Sequence, residues 1–266
     1  MNKRLLAIVI IVAIAAVVAV IYLSMQGGTS TGTTRYDNVL ADPSIIGALT
    51  SVPNSTLASV GIGAAGGRIR KLTSSPALTQ NGKPEVLYIG GEFCPYCAAE
   101  RWAMIIALSR FGTFSNLHYM TSSESDPVAP GTPTFTFRNS TYQSQYISFL
   151  PIEEYSNILQ NNTYTILQPL NDTIIGIVQN TYPGGGIPYI NFGNKTVIAG
   201  STYAPQILQG MNWTQIVQRI GNANSTVSQS ILGSANLLTA QICKATNMTP
   251  QSVCGASYIK HIISVT

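Results

Sequence analysis

The apolar positions divide the chain into one long N-terminal run and a series of shorter ones. Residues 5–23 include no charged side chain, and a helix of that length nearly spans the hydrocarbon core of a bilayer. Lys3 and Arg4 flank the run, so the positive-inside tendency places residues 24–266 outside the cytoplasm. We therefore expect a cytoplasmic segment at 1–4, an uncleaved transmembrane anchor at 5–23 and a location in the cell membrane. A cleaved signal peptide, which usually has a shorter apolar core, is the alternative.

The segment after the span has no strong periodicity. Residues 24–35 are rich in Gly, Ser and Thr, which predicts a flexible stalk. Residues 36–80 form an N-terminal extension with a weak amphipathic stretch at 38–60. The glycine-rich run at 61–67 lacks the Lys-Ser/Thr ending of a phosphate-binding loop, so it is interpreted as a plain loop.

From Pro84 onwards the pattern becomes sharper. The apolar run Val86–Ile89 lies between Lys-Pro and Gly-Gly, which is typical of a buried strand. A helical segment follows from Cys94 to about Arg110, and residues 117–120 predict the next strand. Strand, helix and strand in this order predict a βαβ unit whose two strands are parallel.

The second half of the chain predicts a less regular segment and then a hairpin. Residues 121–183 are interpreted as an insertion, with candidate strands at 135–138 and 145–149 and a helix near 174–179. Two short apolar runs, 189–192 and 196–199, are joined by Gly-Asn, which predicts a β-hairpin. Two helices are expected after it, at about 204–220 and 225–244.

The amino-acid composition excludes some classes of function. Only 9% of residues are charged and the formal net charge is +4, with no basic stripe among aromatic residues, so a nucleic-acid partner is not expected. No cofactor and no metal is predicted. Asn-x-Ser/Thr sequons all follow the apolar run, which fits a glycosylated exterior. Their asparagines are Asn54, Asn139, Asn161, Asn171, Asn194, Asn212, Asn224 and Asn247.

The four cysteines form a close pair, Cys94 and Cys97, and a wider pair, Cys243 and Cys254. Three pairings exist in principle, and the close spacing of the first pair favours 94–97 with 243–254. Cys94 at a helix N-terminus has its thiolate stabilised, so it is the expected nucleophile, with Cys97 as the resolving thiol. Glu92 is a candidate modulator that either opposes thiolate formation or relays a proton.

Two alternatives compete with the redox interpretation. The first is a zinc site made from Cys94 and Cys97 with either the second cysteine pair or His118 and His261. The second is a purely structural bridge at 94–97, which would stabilise little because its loop is short. For Cys243 and Cys254 a structural disulfide is favoured over a redox relay. His118 lies in a predicted strand and is expected to pack in the core.

The run YIGGEFCPYCAAERW, from Tyr88 to Trp102, carries a resemblance to known proteins. Its strand, turn and Cys-Pro-Tyr-Cys helix resemble the active site of the thioredoxin superfamily. The longer run is similar to an uncharacterised family of membrane-anchored, extracytoplasmic thioredoxin-like proteins, mainly archaeal with some from actinobacteria. The resemblance covers roughly residues 80–255 and also takes in LSRFG at 108–112 and the late cysteine pair.

The resemblance implies a fold and a set of site residues. The fold would be an α/β thioredoxin-like sheet with flanking helices, an insertion between the βαβ half and the cis-Pro/β-hairpin half, and an N-terminal transmembrane helix. Ile187-Pro188 resembles the superfamily's cis-proline loop, which implies a catalytic role for Pro188 beside the two cysteines. Pro95, Tyr96 and Ile187 are then expected to contact the substrate. The thioredoxin-like domain would span 81–222, and a C-terminal helical extension would span 223–266.

These features favour an enzyme that forms, isomerises or reduces disulfides in exported proteins. Its partners would be cysteine-containing exported proteins and a quinone- or thiol-linked membrane redox protein that resets the cysteine pair. The alternative is a non-catalytic, glycosylated surface protein that uses a thioredoxin fold as a binding scaffold. The Pro-Tyr dipeptide between the cysteines does not decide the redox direction.

Overall fold

The computed structural model describes residues 38–67, 69–73 and 75–266. The predicted cytoplasmic segment, transmembrane anchor and stalk lie outside the described residues. Within the described ranges, no helix is both long and apolar enough to cross a membrane. The structure is a mixed α/β fold in which a mixed sheet is flanked by helices.

The central sheet is built around strand β3, Lys83–Gly90, whose residues from Glu85 onwards are buried. Its apolar run is bounded by Pro84 and by Gly90-Gly91, so both strand ends were readable from sequence. On one side β3 pairs in parallel with β8, Ser148–Glu153. On the other side it pairs antiparallel with β11, Tyr189–Phe192.

The sheet continues beyond β11 through the predicted hairpin. Strand β12, Thr196–Ala199, pairs antiparallel with β11 across the Gly-Asn turn, which confirms that prediction. The edge strand β1, Ile69–Lys71, pairs with β12, and β2, Thr79–Gln80, pairs with the start of β3. Gly193 in the hairpin turn has φ +60°, a conformation that favours glycine.

The predicted parallel partner of β3 was wrong. Residues His118–Thr121 form strand β5, but it pairs antiparallel with β6, Pro133–Thr136, in a separate two-stranded sheet. The parallel partner is β8, which lies inside the segment interpreted as an insertion. A short apolar run is compatible with several strand partners, and the choice depends on long-range packing rather than on local pattern.

The rest of the segment between 112 and 166 forms further small β units. Strand β4, Gly112–Ser115, pairs with β7, Thr141–Ser144. Strands β9, Tyr155–Gln160, and β10, Thr163–Ile166, form a hairpin directly after β8. The irregular segment therefore contributes one strand to the central sheet, and its other strands form three separate two-stranded sheets.

Eight α-helices are found among the described residues, and their positions largely follow the predictions. They are α1 Pro43–Thr50, α2 Asn54–Val60, α3 Pro95–Ser109, α4 Asp172–Thr181, α5 Trp213–Ile220, α6 Thr226–Ala245, α7 Gln251–Cys254 and α8 Ser257–Val265. The single helix predicted at 204–220 is divided into a 3-10 helix, Pro205–Leu208, and α5. Gly210 has φ +71° between them, and Asn212 starts α5 with a capping box.

Helix α3 is the centre of the core. Every residue from Pro95 to Leu108 except Tyr96 is buried, because α3 packs against both α6 and β6. A helix buried on all sides carries no polar stripe, so its sequence reads as apolar with isolated charges. The two charged residues of α3, Glu100 and Arg101, are both fully buried.

Candidate active site

The two close cysteines lie where β3 ends and α3 begins, at the carboxyl edge of the central sheet. Cys94 is the N-cap residue of α3, and Pro95 occupies the first turn, where its missing N–H is tolerated. The backbone N–H of Cys97 donates a hydrogen bond to Cys94 Sγ over 3.2 Å. Both cysteines are free thiols. The predicted strand–turn–helix geometry of the motif is therefore present.

The environments of the two thiols differ. Cys94 keeps 5% of its surface exposed and Cys97 keeps none. The hydrogen bond from the Cys97 thiol lowers the pKa of Cys94 against the effect of burial, and the Cys97 N–H and the charge of Arg101 act in the same direction. Burial raises the pKa of Cys97 well above the ordinary range, and its hydrogen bond to Cys94 adds to this. The more exposed thiol is therefore the more acidic one.

The loop before β11 lies at the same edge of the sheet. The Ile187–Pro188 peptide bond is cis, and Pro188 is buried. Pro188 precedes Tyr189, which is paired with Ile89 of β3, so the loop lies beside the turn that leads to Cys94. A Cβ placed on Gly91 would lie 3.6 Å from Ile187 Cδ1, which shows how closely the two loops approach.

Glu92 is buried in the turn between β3 and Cys94, but it points to other partners. Its carboxylate accepts hydrogen bonds from Thr136 Oγ1 at 2.7 Å and from Arg138 Nε at 3.2 Å. Arg138 is partly exposed, so Glu92 is paired with a cation at the rim of the site. Its role as a modulator of the thiols stays a prediction.

Two aromatic residues, Phe93 and Tyr96, lie beside Cys94 in the sequence. Tyr96 is 41% exposed, and Phe93 stacks on Tyr164 of β10 with 4.3 Å between ring centroids. Phe93 and the β9–β10 hairpin line an open groove of about 770 Å³. Ile166 is exposed on the same hairpin. The hairpin was not predicted as a site element, and no local signal in its sequence marked it.

A family model described as a domain of unknown function, DUF929, matches residues 71–244, more than half of the chain. The chain belongs to the DUF929 family. No curated protein and no solved structure matches this sequence.

The DUF929 match includes the free cysteine pair, Pro188 and Cys243, whereas Cys254 lies beyond it. Cys243 and Cys254 form a disulfide with 5.5 Å between their Cα atoms, which confirms the 243–254 half of the favoured pairing, whereas Cys94 and Cys97 are not bridged. The bridge joins the end of α6 to α7. These two cysteines are therefore not available as zinc ligands.

The histidines of this DUF929 chain do not join the cysteines. Among the described residues, no group of three His, Cys, Asp or Glu side chains is close enough to hold a metal ion. The prediction that His118 packs in the core was wrong: it is only partly buried, and its Nδ1 lies 2.7 Å from the carbonyl oxygen of Asn116. His118 is the first residue of β5, and the three residues that follow it in the strand are all buried.

The sequon asparagines of the DUF929 chain differ in accessibility. Asn194 is partly buried, and its Nδ2 donates to the carbonyl oxygen of Pro76 at 2.7 Å. Asn191 Nδ2 donates to the side-chain oxygen of Asn194, so the oxygen and the nitrogen of the Asn194 amide both have hydrogen-bond partners. The other seven are exposed: Asn54, Asn139, Asn161, Asn171, Asn212, Asn224 and Asn247.

Two buried site residues were missed by sequence reasoning. Arg101 lies one helical turn after Cys97 and is fully buried against Glu153 at the end of β8. The available signal was a charged pair, Glu100-Arg101, within an otherwise apolar helix directly after the cysteine motif. Glu153 could not be connected to the site, because β8 had not been recognised as the neighbour of β3.

Proposed function

We propose that this protein is a membrane-anchored, extracytoplasmic thiol–disulfide oxidoreductase with a thioredoxin-like fold. Cys94 is the nucleophile and Cys97 is the resolving thiol. Pro188 with Ile187 forms the loop against which the substrate lies, and Pro95 and Tyr96 form the opposite side. The substrates are exported proteins that contain cysteines.

The arrangement of elements supports the thioredoxin-like assignment. A strand that ends at the cysteine motif is flanked by one parallel and one antiparallel strand, and the antiparallel strand opens a hairpin after a cis-proline. The first half of the domain is extended by two segments. Residues 112–147 precede the parallel strand, and the β9–β10 hairpin follows it.

The contrast between the two thiols is the observation that carries the proposal. An exchange enzyme needs one accessible thiol that ionises easily and a second that stays protonated until the mixed disulfide has formed. Cys94 at the helix N-cap, with a hydrogen bond from the Cys97 N–H, has the first property. Cys97, buried and with a raised pKa, has the second.

The exchange conserves atoms and electrons. The Cys94 thiolate attacks one sulfur of a substrate disulfide, the substrate S–S bond breaks, and the released substrate thiolate takes up a proton. Cys97 then loses its proton and attacks Cys94 Sγ, which forms the 94–97 disulfide and releases the second substrate thiol. Two electrons pass from the protein to the substrate, and the reverse sequence oxidises a substrate dithiol.

The compartment supports the same function. The apolar run at 5–23, the sequons after it and the Cys243–Cys254 disulfide agree with an oxidising exterior. Because each turnover moves two electrons, the cysteine pair needs a redox partner that resets it. We propose a quinone- or thiol-linked membrane protein for this role.

The test is the reduction potential of the 94–97 pair in the full-length chain, equilibrated with glutathione and read by mass spectrometry. A potential between about −120 and −200 mV supports an oxidase or isomerase, and one near about −270 mV supports a reductase. A pair that stays oxidised below about −300 mV is a structural bridge, which would support the scaffold function instead. The matched control is Cys94→Ser with Cys97→Ser, which removes the exchange signal and leaves the second disulfide in place.

A further inference from the structure

A buried cation, Arg101, lies one helical turn after the cysteine pair. Arg101 follows Cys97 by four residues on α3, so the two side chains share the face that packs toward the sheet. None of the Arg101 side chain is exposed. Its Nη2 donates to the carbonyl oxygen of Gly91 at 2.9 Å, in the turn that leads to Cys94. The guanidinium group therefore contacts the backbone that positions the nucleophile.

Glu153 holds this cation in place. Its two carboxylate oxygens accept from Arg101 Nε at 2.8 Å and from Nη2 at 2.6 Å, which is a bidentate fork. Glu153 is the last residue of β8 and is in register with Gly90, the last residue of β3. The parallel pairing of the two strands thus brings the carboxylate to the carboxyl edge of the sheet.

The buried Arg101–Glu153 ion pair is not needed for packing alone. Replacing a buried ion pair by apolar side chains of similar volume is often neutral or stabilising, so the ionic pair is weak evidence for a role in stability. Arg101 Nη1 has no hydrogen-bond partner among the described residues. Burial acts to lower the pKa of Arg101, but the charge and hydrogen bonds of Glu153, together with Tyr88 and Cys97, outweigh it and keep the guanidinium protonated.

The surroundings of Arg101 include several groups that respond to its charge. At the start of its own helix these groups are Cys94 and Cys97. On β3, the ring centroid of Tyr88 lies 5.9 Å from Arg101 Cζ. Glu153 approaches from β8. In a water-excluded site, a fixed positive charge favours the ionised form of nearby thiols.

We propose that Arg101 is a positioning residue for the cysteine pair, which fixes the turn before Cys94 through Gly91 and stabilises negative charge on the thiols, while Glu153 limits that effect. This inference rests on the proposed function. It adds that the balance between the two buried charges sets the reactivity of Cys94 and the redox poise of the pair. Stabilising the thiolate stabilises the reduced form, so a stronger positive field makes the pair a stronger oxidant.

The experiment uses the full-length chain and variants with opposite effects on the charge. In Glu153→Gln the positive charge of Arg101 is no longer balanced. In the double variant Arg101→Met with Glu153→Met both charges are removed and the volume is roughly kept. The control is Glu100→Gln, a substitution of a buried carboxylate on the same helix whose hydrogen-bond partners are Ser201, Thr202 and Ser234.

The readout is the rate at which iodoacetamide alkylates reduced Cys94 as a function of pH, with the modified residue identified by mass spectrometry. Below neutral pH we expect Glu153→Gln to react roughly three- to tenfold faster than wild type and the double variant roughly three- to tenfold slower. Glu100→Gln should follow the wild-type profile. Circular dichroism establishes that each variant is folded.

Opposite shifts of the two variants support the inference, because a merely structural pair would not move the pH profile in both directions. Unchanged profiles in folded variants would overturn it. If the double variant does not fold, Glu153→Gln alone decides the test. In that case, alkylation of Glu153→Gln at the wild-type rate would overturn the inference. The readout does not require exchange activity. A wild-type pair that fails to equilibrate with glutathione therefore refutes the proposed function, whereas unshifted alkylation refutes only the role of Arg101.

Discussion

Helix α3 has two buried residues of opposite charge, Arg101 and Glu100, and their different contacts give them different roles. Arg101 faces the turn before Cys94 and the end of β8. Its neighbour Glu100 faces the opposite way and accepts hydrogen bonds from hydroxyl and backbone groups of Thr202 and from Ser234. The sequence placed both charges beside the motif, but only the packing around α3 shows which of them belongs to the candidate site.

Glu100 should make stability depend on pH. Burial raises the pKa of this carboxyl above its ordinary value of 4.5, against the hydrogen bonds from Thr202, Ser201 and Ser234. A folded-state pKa above the unfolded one contributes stability at low pH that is lost as the pH rises toward the folded-state value. We therefore expect the free energy of unfolding of wild type to fall, relative to Glu100→Gln, as the pH rises above about 4.5.

Urea denaturation of both proteins at pH 4 and pH 7 measures this difference. Glutamine can keep its oxygen toward the Thr202 N–H and turn its amide group toward the hydroxyl oxygens, so the substitution removes mainly the charge. A constant difference between the two proteins at both pH values would show that Glu100 is not titrating in the expected direction.

At the scale of elements, the predictions were accurate where one short segment carries its own boundaries. Strand β3 and the β11–β12 hairpin are bounded by Gly and Pro, and α3 begins at a cysteine N-cap followed by proline. The partner of β3 was predicted wrongly, because β5 and β8 are both short apolar segments that follow α3. Nothing local distinguishes the strand that pairs with a neighbour far away in the sequence.

Two glycines in helices should respond oppositely to alanine. In α6, a Cβ on Gly233 would lie 2.4 Å from the backbone oxygen of Ile62, so Gly233→Ala forces the backbone after α2 away from α6. In α4, a Cβ on Gly176 would meet nothing within 4 Å. We expect Gly233→Ala to lower the free energy of unfolding by about 1–3 kcal/mol and Gly176→Ala to raise it by about 0.5–1 kcal/mol.

Thermal or urea unfolding of the two variants provides the comparison. Each variant controls for the general effect of placing alanine in a helix. Equal shifts in stability would mean that α6 does not approach the loop after α2 as closely as the structure has it.

On the scale of the whole molecule, the second disulfide lies far from the candidate site along the sheet. Ala245, two residues after Cys243, approaches the β11–β12 turn, since a Cβ on Gly193 would lie 3.4 Å from that of Ala245. Pro188 is at the other end of β11, next to the carboxyl end of β3. We infer that the bridge ties the C-terminal helices to α6 and takes no direct part in exchange at Cys94.

Removing this bridge by Cys243→Ala with Cys254→Ala tests that separation. The two cysteines are 11 residues apart, so we expect the free energy of unfolding to fall by about 2–3 kcal/mol. The reduction potential of the 94–97 pair should not change. A shifted potential in a folded variant would instead support electron relay between the two cysteine pairs.

The sequence by itself determined the features that depend on neighbouring residues: the strand before the cysteines, the helix start at Cys94, the hairpin turn and the 243–254 pairing. Turn residues, caps and close cysteine spacing act over a few positions, so they can be read without a fold. Only the tertiary structure decided that β8 lies beside β3, that Glu153 meets Arg101 next to the turn before Cys94 and that the amide of Asn194 is hydrogen-bonded. Each of these contacts joins segments far apart in the sequence, and their formation depends on how the whole core packs.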